Sequence, residues 1–150
     1  MLRVTKLTDY ATVVLTVLAS AHETVLSANA LAERAGLEAP TVAKVLKPLA
    51  QAGLVQAFRG AAGGYALARP AGAISLVEIV EAMEGPLAMT ECSIHDGHCG
   101  IEQSCGARAN WRRINDVVAD ALRRVTLADM TLPVGASQPR RTIPVALSAR

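Results

Sequence analysis

All three cysteines of this chain stand in one short stretch, at Cys92, Cys99 and Cys105. Two histidines, His95 and His98, lie among them, and several glycines interrupt any regular helix or strand there. Thiolates bind zinc and iron well, and a loop can bend around an ion or a cluster. The segment therefore predicts a metal or iron–sulfur site whose ligands are the three cysteines.

The spacing of the cysteines does not show whether the site holds zinc, an iron–sulfur cluster or no metal. Six and five residues separate them, which is wider than the C-x-x-C pairs of zinc ribbons. Zinc with cysteine and histidine ligands, an iron–sulfur cluster and a metal-free thiol switch all remain open. Unligated cysteines are usually buried like small apolar residues, but the polar flanks of this segment argue against a core position. Each of the two histidines is open as a ligand or as a solvated loop side chain.

Composition and charge indicate a helical protein with a basic front part. Of the 150 residues, 51% are hydrophobic but only 3% are aromatic, and a core rich in Ala and Leu favours helices. The net charge is +3 over residues 1–70 and −4 over residues 71–132. A basic part beside an acidic one indicates contact with nucleic acid at one end of the molecule.

The sequence also indicates in which cellular compartment the protein acts. No export signal is visible, and the apolar run over residues 11–21 is too short to cross a bilayer. An odd number of cysteines without such a signal argues against a disulfide framework. We therefore expect a cytoplasmic protein that makes no contact with a membrane.

Capping signals in the first part of the chain predict three helices. Thr8 is the expected N-cap of a helix that runs to about Ala21, and Ser27 caps a second helix. A third helix begins near Pro40, a residue suited to a first turn, and ends before Gly53.

The third helix has the two faces of a recognition helix. Its buried face is formed by four aliphatic residues at helical spacing, Val42, Val45, Leu46 and Leu49. Its outer face carries side chains that can reach base edges and phosphates, namely Thr41, Lys44, Lys47 and Gln51. The outer face predicts binding to double-stranded DNA, although a solvated face on an ordinary three-helix bundle would look the same.

A β-hairpin follows the third helix. Its strands are expected at residues 54–58 and 65–68, around a glycine-rich tip that Arg59 precedes. Such a tip can bring a basic side chain to the phosphate backbone or a minor groove, so Arg59 joins the predicted DNA surface. Helices followed by a hairpin form a winged helix-turn-helix, and the predicted fold class is mainly α with a small β-hairpin wing.

The part after the hairpin predicts a dimer. A helix over residues 74–83 leads to the cysteine loop, and a long C-terminal helix is expected from Ala107 to Val125. Its apolar residues step by three and four, as in a heptad seam, at Trp111, Ile114, Val118, Ala121 and Val125. This seam predicts a dimerisation helix and a homodimer, with packing inside one subunit as the alternative.

The predicted organisation has three parts. Residues 1–70 form a DNA-binding domain, and residues 71–132 hold the helix, the cysteine loop and the dimerisation helix. Thr126 and Asp129 fit a capping box for a short last helix. Residues 133–150, with prolines and basic side chains, are expected to be a disordered tail.

Together these features resemble the Rrf-type iron–sulfur transcription regulators. The wing motif R-G-x-x-G-G-Y, here residues 59–65, precedes the three-cysteine loop, and a tryptophan lies upstream of a Thr-Leu pair over residues 111–127. The resemblance covers about residues 1–132. The stretches T-K-L-T-D-Y-A and M-T-E-C-S are most similar to the regulators of the SUF iron–sulfur assembly operon of gammaproteobacteria.

The resemblance implies that the three cysteines hold a [4Fe-4S] or [2Fe-2S] cluster whose state alters the affinity of a homodimer for DNA. Some members complete the ligand set with a histidine three residues after the last cysteine, where this chain has Arg108, which cannot ligate. Others use an aspartate at the start of the first helix, reached from the partner subunit, and Asp9 occupies that position. A four-iron cluster with Asp9 is the more natural fit, but either loop histidine could substitute.

We therefore predict an iron–sulfur-responsive transcription regulator, a repressor of SUF cluster-assembly genes, and not an enzyme. No nucleotide-binding loop, flavin fingerprint or paired acid–base constellation appears. A winged-helix regulator with a zinc site or a thiol switch is the first alternative. A small iron–sulfur carrier or redox protein is the second.

Overall fold

The computed structural model describes residues 3–21, 24–90, 93 and 105–132. The helices are α1 (Lys6–Ser20), α2 (Ala28–Ala35), α3 (Ala39–Gln51), α4 (Leu76–Glu84), α5 (Arg108–Arg123) and α6 (Leu127–Met130). Two strands, β1 (Val55–Phe58) and β2 (Gly64–Leu67), form an antiparallel hairpin. This mainly helical winged-helix arrangement confirms the predicted fold class. No helix in the described ranges combines the length and the apolar character needed to cross a bilayer.

A single core joins α1, α2, α3, α4 and α6 to the base of the hairpin. Helix α1 lies at its centre and packs against α2, α3, α4 and α6. Ile74, Ile79 and Leu127 are buried in the same cluster as the aliphatic residues of α1 and α3. Residues on both sides of position 70 therefore contribute to one core.

The start of α1 differs from the prediction. The N-cap is Thr5, whose side-chain oxygen accepts a hydrogen bond from the backbone N–H of Thr8. Thr8, predicted as the cap, is instead a buried residue of the first turn. The reason is tertiary, because the Thr8 hydroxyl donates to Glu84 at the end of α4, a partner 76 residues away.

The helix-turn-helix itself follows the local signals. Ser27 caps α2 through a hydrogen bond from the Ala30 N–H, as predicted. Gly36 ends α2 with φ 64°, a left-handed conformation that favours glycine. Helix α3 then starts with Pro40 in its first turn.

The hairpin is extended by one backbone bridge from the loop before α2. In its register, Val55 faces Leu67 and Phe58 faces Gly64. The N–H and C=O groups of Leu26 and Tyr65 also exchange two hydrogen bonds, of 2.9 and 2.8 Å. This bridge ties the base of the wing to the loop that leads into the helix-turn-helix.

The long C-terminal helix, predicted to mediate dimerisation, is shorter than predicted. Helix α5 ends at Arg123 with Arg124 as its C-cap, so Val125 lies beyond the helical seam. The carbonyl of Val125 instead accepts a hydrogen bond from the N–H of Leu76. Thr126 then starts α6 with the predicted capping box, in which the Asp129 carboxylate accepts from the Thr126 N–H and hydroxyl.

Candidate DNA-binding surface and cysteine site

The outer face of α3 presents two lysines and a glutamine to solvent. Lys44, Lys47 and Gln51 are exposed, whereas Thr41 is half-buried. The four aliphatic residues predicted to form the inner face are all buried in the core. The helix thus holds both lysines on one side, where their charges can meet neighbouring phosphates.

The wing carries Arg59 at its exposed turn. Arg59 directly follows β1, and Gly60 after it has φ 107°, a conformation that a side chain would strain. Gly64 is required for another reason, since a Cβ there would collide with the backbone carbonyl of Leu26. The glycine motif therefore shapes the turn and lets the wing lie against the loop before α2.

An ion pair anchors the wing to α4. The Arg69 guanidinium donates to Glu78 Oε1 at 2.7 Å and to the carbonyl of Ala73 at 3.1 Å. The N–H and hydroxyl of Ser75 both donate to Glu78 Oε2, at 2.9 and 2.8 Å. The Ser75 backbone and the Arg69 guanidinium lower the pKa of Glu78 to about 2. The S-x-x-E pattern at 75–78 was readable as a capping box in the sequence, but the contact with Arg69 was not.

The other end of α4 is bound to the start of α1. Glu84 Oε1 accepts hydrogen bonds from the Thr8 hydroxyl at 2.5 Å and from the Thr5 N–H at 2.7 Å. These two bonds, the one from Thr8 first, hold the pKa of Glu84 below its ordinary range. Nothing in the sequence pattern pointed to Glu84.

Asp9 stands beside this contact. Its side chain is exposed, on the first turn of α1. It lines a groove of about 700 Å³ together with Glu84, the segment 85–89 and apolar residues of α4, α5 and α6. Segment 85–89 is the stretch of chain that leads towards the cysteines.

Only the last of the three cysteines lies within the described residues. Cys105 is half-buried just before α5 and lines a cavity of about 580 Å³ with Arg108, Arg112 and Arg113. Cys92, Cys99, His95 and His98 lie outside the described residues. Within the described ranges, no three Cys, His, Asp or Glu side chains come close enough to hold a metal ion.

Hydrogen bonds fix the stretch of chain that precedes the cysteine segment. The backbone N–H of Met89 donates to the side-chain oxygen of Asn115 on α5 at 3.1 Å. Thr90 and Ser93 are joined by a backbone hydrogen bond and by a contact of 2.9 Å between their hydroxyls. The stretch before the first cysteine is therefore bound to the helix that follows the last one. Asp9 and Cys105 of one chain line separate cavities.

Helix α5 leaves an apolar face uncovered in the single chain. Trp111, Ile114 and Val117 are 38%, 44% and 47% exposed. Val118 and Ala121 of the predicted seam are half-buried. Val117 was not predicted, but it adjoins Ile114 and Ala121 at helical spacing.

Comparisons with known proteins agree with this geometry. The iron-dependent transcriptional regulator family Rrf2 matches residues 4–132. Protein aau3 of Rhizobium meliloti is 34% identical over 130 residues, covering 86% of this chain and 84% of that protein. The HTH-type transcriptional regulator IscR of Erwinia tasmaniensis is 30% identical over 130 residues, covering 86% of this chain and 78% of IscR. CymR, the global cysteine regulator of B. subtilis, has a similar structure, with a TM-score of 0.67 and 29% identity over 87% of this chain and 97% of CymR.

The family match decides between the predicted classes. A regulator, not an enzyme, is confirmed, and the alternative of a small iron–sulfur carrier or redox protein is set aside. The helix-turn-helix and its wing are the parts through which such regulators bind DNA. The chain belongs to the Rrf2 family of winged-helix transcriptional regulators.

Proposed function

We propose that this regulator binds an iron–sulfur cluster through Cys92, Cys99 and Cys105 and represses SUF cluster-assembly genes. The observation that carries the proposal is the group of three cysteines in one segment of a chain that matches an iron-dependent transcriptional regulator family. The hydrogen bond from Met89 to Asn115 also joins the stretch before Cys92 to the helix that follows Cys105. A thiolate set on a short loop suits a cluster.

Asp9 completes the ligand set from a second copy of the chain. Arg108, at the position where some members have histidine, has no lone pair to offer a metal. In the members that use this aspartate it comes from the partner subunit, and Asp9 is exposed on the first turn of α1, where a second chain can reach it. One oxygen ligand beside three thiolates fits a [4Fe-4S] cluster better than a [2Fe-2S] cluster. When bound, such a group supplies a centre that responds to oxidants and to iron supply.

A homodimer through α5 provides that partner. The exposed Trp111, Ile114 and Val117 form an apolar patch on a helix, and burying each large side chain contributes about 1.5–3 kcal/mol. A second copy of α5 offers a complementary patch through twofold symmetry.

Helix α4 links the cysteine segment to the DNA surface. Its C-terminal end is bound to α1 through Glu84 and Thr8, and α1 packs against α3. Its N-terminal end is bound to the base of the wing through Glu78 and Arg69. A displacement of α4 at the cysteine segment therefore reaches both the recognition helix and the wing.

Anaerobic purification with iron and sulfide analysis and absorption spectra tests the cofactor. We expect a coloured protein, and Cys92→Ser, Cys99→Ser or Cys105→Ser should each lose or severely destabilise the cluster. Ser93→Ala, next to a ligand, is the control and should keep colour and iron. Full colour in all three cysteine variants would show that the ligands lie elsewhere.

Asp9 has its own test. Asp9→Ala should alter the spectrum or speed cluster loss, while the cluster-free dimer stays folded. Glu33→Ala, at an exposed acid on α2, is the matched control. An unchanged spectrum and decay rate in Asp9→Ala would point to a loop histidine or a small molecule as fourth ligand.

The similarity to CymR, a cysteine regulator, favours one second candidate, a regulator whose loop is a thiol switch or a zinc site. A colourless protein that contains zinc, or whose cysteines oxidise reversibly with a change in DNA affinity, would establish it. The DNA surface is the same in both cases.

A further inference from the structure

The first turns of α3 present an apolar surface to solvent. Ala39, Pro40 and Ala43 are all exposed, and none has a side chain that can donate or accept a hydrogen bond. Thr41 is half-buried, and the first long polar side chain on this face is that of Lys44. In a helix-turn-helix the N-terminal residues of the recognition helix contact the base edges.

The start of α3 is also poorly suited to bind a phosphate. Pro40 has no N–H, and the N–H of Thr41, which has no i→i−4 partner in the helix, donates to the carbonyl of Glu38 at 2.9 Å. The Glu38 carboxylate is exposed and forms no cap hydrogen bond, so it adds negative charge beside the helix start. Phosphate binding at a helix start depends on free N–H groups and a positive end, and both are reduced here.

The cationic side chains lie further along the same face. Lys44 and Lys47 follow Pro40 and Ala43 at helical spacing, and both are exposed. Behind the Glu38 carboxylate, the exposed face of α3 is therefore apolar over its first turns and cationic further along. Such a face matches a surface that is apolar in the middle and anionic at its edges. The major groove of A·T-containing DNA is such a surface, because thymine places a methyl group between two phosphate backbones.

We propose that α3 reads thymine C5-methyl groups in the major groove through Ala39, Pro40 and Ala43. The inference rests on the proposed binding of DNA through α3 and specifies the bases that this end of the helix selects. Small side chains suit this role because they allow the helix to approach closely while Cβ and the proline ring cover the methyl group. Lys44 and Lys47 then contribute affinity that does not depend on sequence.

The test removes the methyl group alone. A duplex that the unsubstituted protein enriches from a pool of random sequences is remade with deoxyuridine for thymidine, which deletes only the C5-methyl groups. Affinity should fall about fourfold for each contacted methyl, the fold-change that corresponds to about 0.8 kcal/mol. The salt dependence of binding should stay the same, because no phosphate contact is lost. Cluster-bound and cluster-free protein are both measured.

Two variants assign the effect to α3. Ala43→Ser places a hydroxyl against the methyl group and should bring the ratio of affinities for the two duplexes towards one. Lys44→Ala is the matched control, and it should weaken binding to both duplexes by the same factor. Urea unfolding checks that each variant keeps the stability of the unsubstituted protein.

The outcomes separate this inference from the function on which it rests. Equal, salt-dependent affinity for the thymidine and deoxyuridine duplexes overturns methyl reading and leaves DNA binding intact. A ratio that is unchanged in both Ala43→Ser and Ala39→Ser assigns the preference to duplex shape and also overturns it. Failure to bind any duplex of the pool, with or without the cluster, overturns the proposed DNA binding and the inference with it.

Discussion

Helices α3 and α5 have the same apolar spacing but different surroundings. In α3 the aliphatic residues Val42, Val45, Leu46 and Leu49 are at most 1% exposed. In α5 only Ala119 is buried, and Trp111, Ile114 and Val117 remain exposed. A stripe at helical spacing thus shows that a helix is amphipathic, but not whether its partner lies in the same chain.

The difference follows from what each helix packs against. Helix α3 contacts α1, α2, α4 and β1, which enclose its stripe. The long-range packing of α5 in the single chain is against α4. The DNA-binding unit is therefore complete in one chain, whereas the face of α5 is completed by a second copy in the proposed dimer.

The largest expected effect comes from charging the face of α5. Ile114→Asp should dissociate the dimer, because a symmetric interface loses two buried side chains, about 3–6 kcal/mol in total. Sedimentation equilibrium measures the change, and circular dichroism should show that the monomer remains helical. Ile114→Leu is the control and should remain dimeric. An intact dimer in Ile114→Asp would remove this face from the interface.

A cavity made beneath the buried face of α3 should lower the stability of the single chain. Leu46 is 1% exposed, and Leu46→Ala should lower the free energy of unfolding by about 2–5 kcal/mol. Urea unfolding in the Ile114→Asp background separates this loss from dissociation. Leu7→Ala, the same deletion at a side chain that is 37% exposed, should cost much less. Equal losses of unfolding free energy in Leu46→Ala and Leu7→Ala would contradict the conclusion that the apolar face of α3 is enclosed within one chain.

Lysines on α3 should affect DNA affinity without affecting stability. Lys44→Ala should lower the magnitude of the slope of log affinity against log salt concentration by about one, as expected for one lost phosphate contact. Filter binding at several salt concentrations measures the slope. An unchanged slope in the Lys44→Ala, Lys47→Ala double variant would show that DNA binds elsewhere on the protein.

Two further side chains are expected to affect sequence preference. Arg59→Ala should weaken binding most at narrow, A/T-rich minor grooves, whereas Gln51→Ala should relax sequence preference at one position.

The smallest effect concerns the anchor between the wing and α4. Because the pKa of Glu78 is about 2 in the folded chain, below its ordinary value of 4.5, its ionised form stabilises the fold above pH 4.5. This contribution is lost as the pH falls from 4.5 towards 2. Since Arg69 and Glu78 are about two-fifths exposed, solvent limits it to a few tenths of a kcal/mol, or at most about 1 kcal/mol.

Unfolding at several pH values checks this contribution. Glu78→Gln should lose stability at neutral pH and show a flatter acid profile. Arg69→Met should lose a similar amount, and the double variant should lose less than the sum of the two. Additive losses would show that the two side chains act independently.

Local patterns predicted most of the helical framework. Ser27 as a cap, Gly36 as a left-handed stop and the box of Thr126 and Asp129 each depend on hydrogen bonds within a few residues. Neighbours in sequence are sufficient to determine such bonds. The order of helices and wing, and with it the family, could therefore be predicted without tertiary structure.

Contacts between distant residues were decided only by the fold. The Thr8 hydroxyl does not cap α1 but donates a hydrogen bond to Glu84. The carbonyl of Val125 does not continue α5 but accepts a hydrogen bond from the N–H of Leu76. The exposure of Ala39 and Ala43 on the recognition helix likewise depends on which face of α3 the core covers. The sequence by itself determined the order of the elements and the local caps at Ser27, Gly36 and Thr126. Only the tertiary structure decided which side chains meet, because those contacts join residues dozens of positions apart whose closeness depends on the packing of every helix between them.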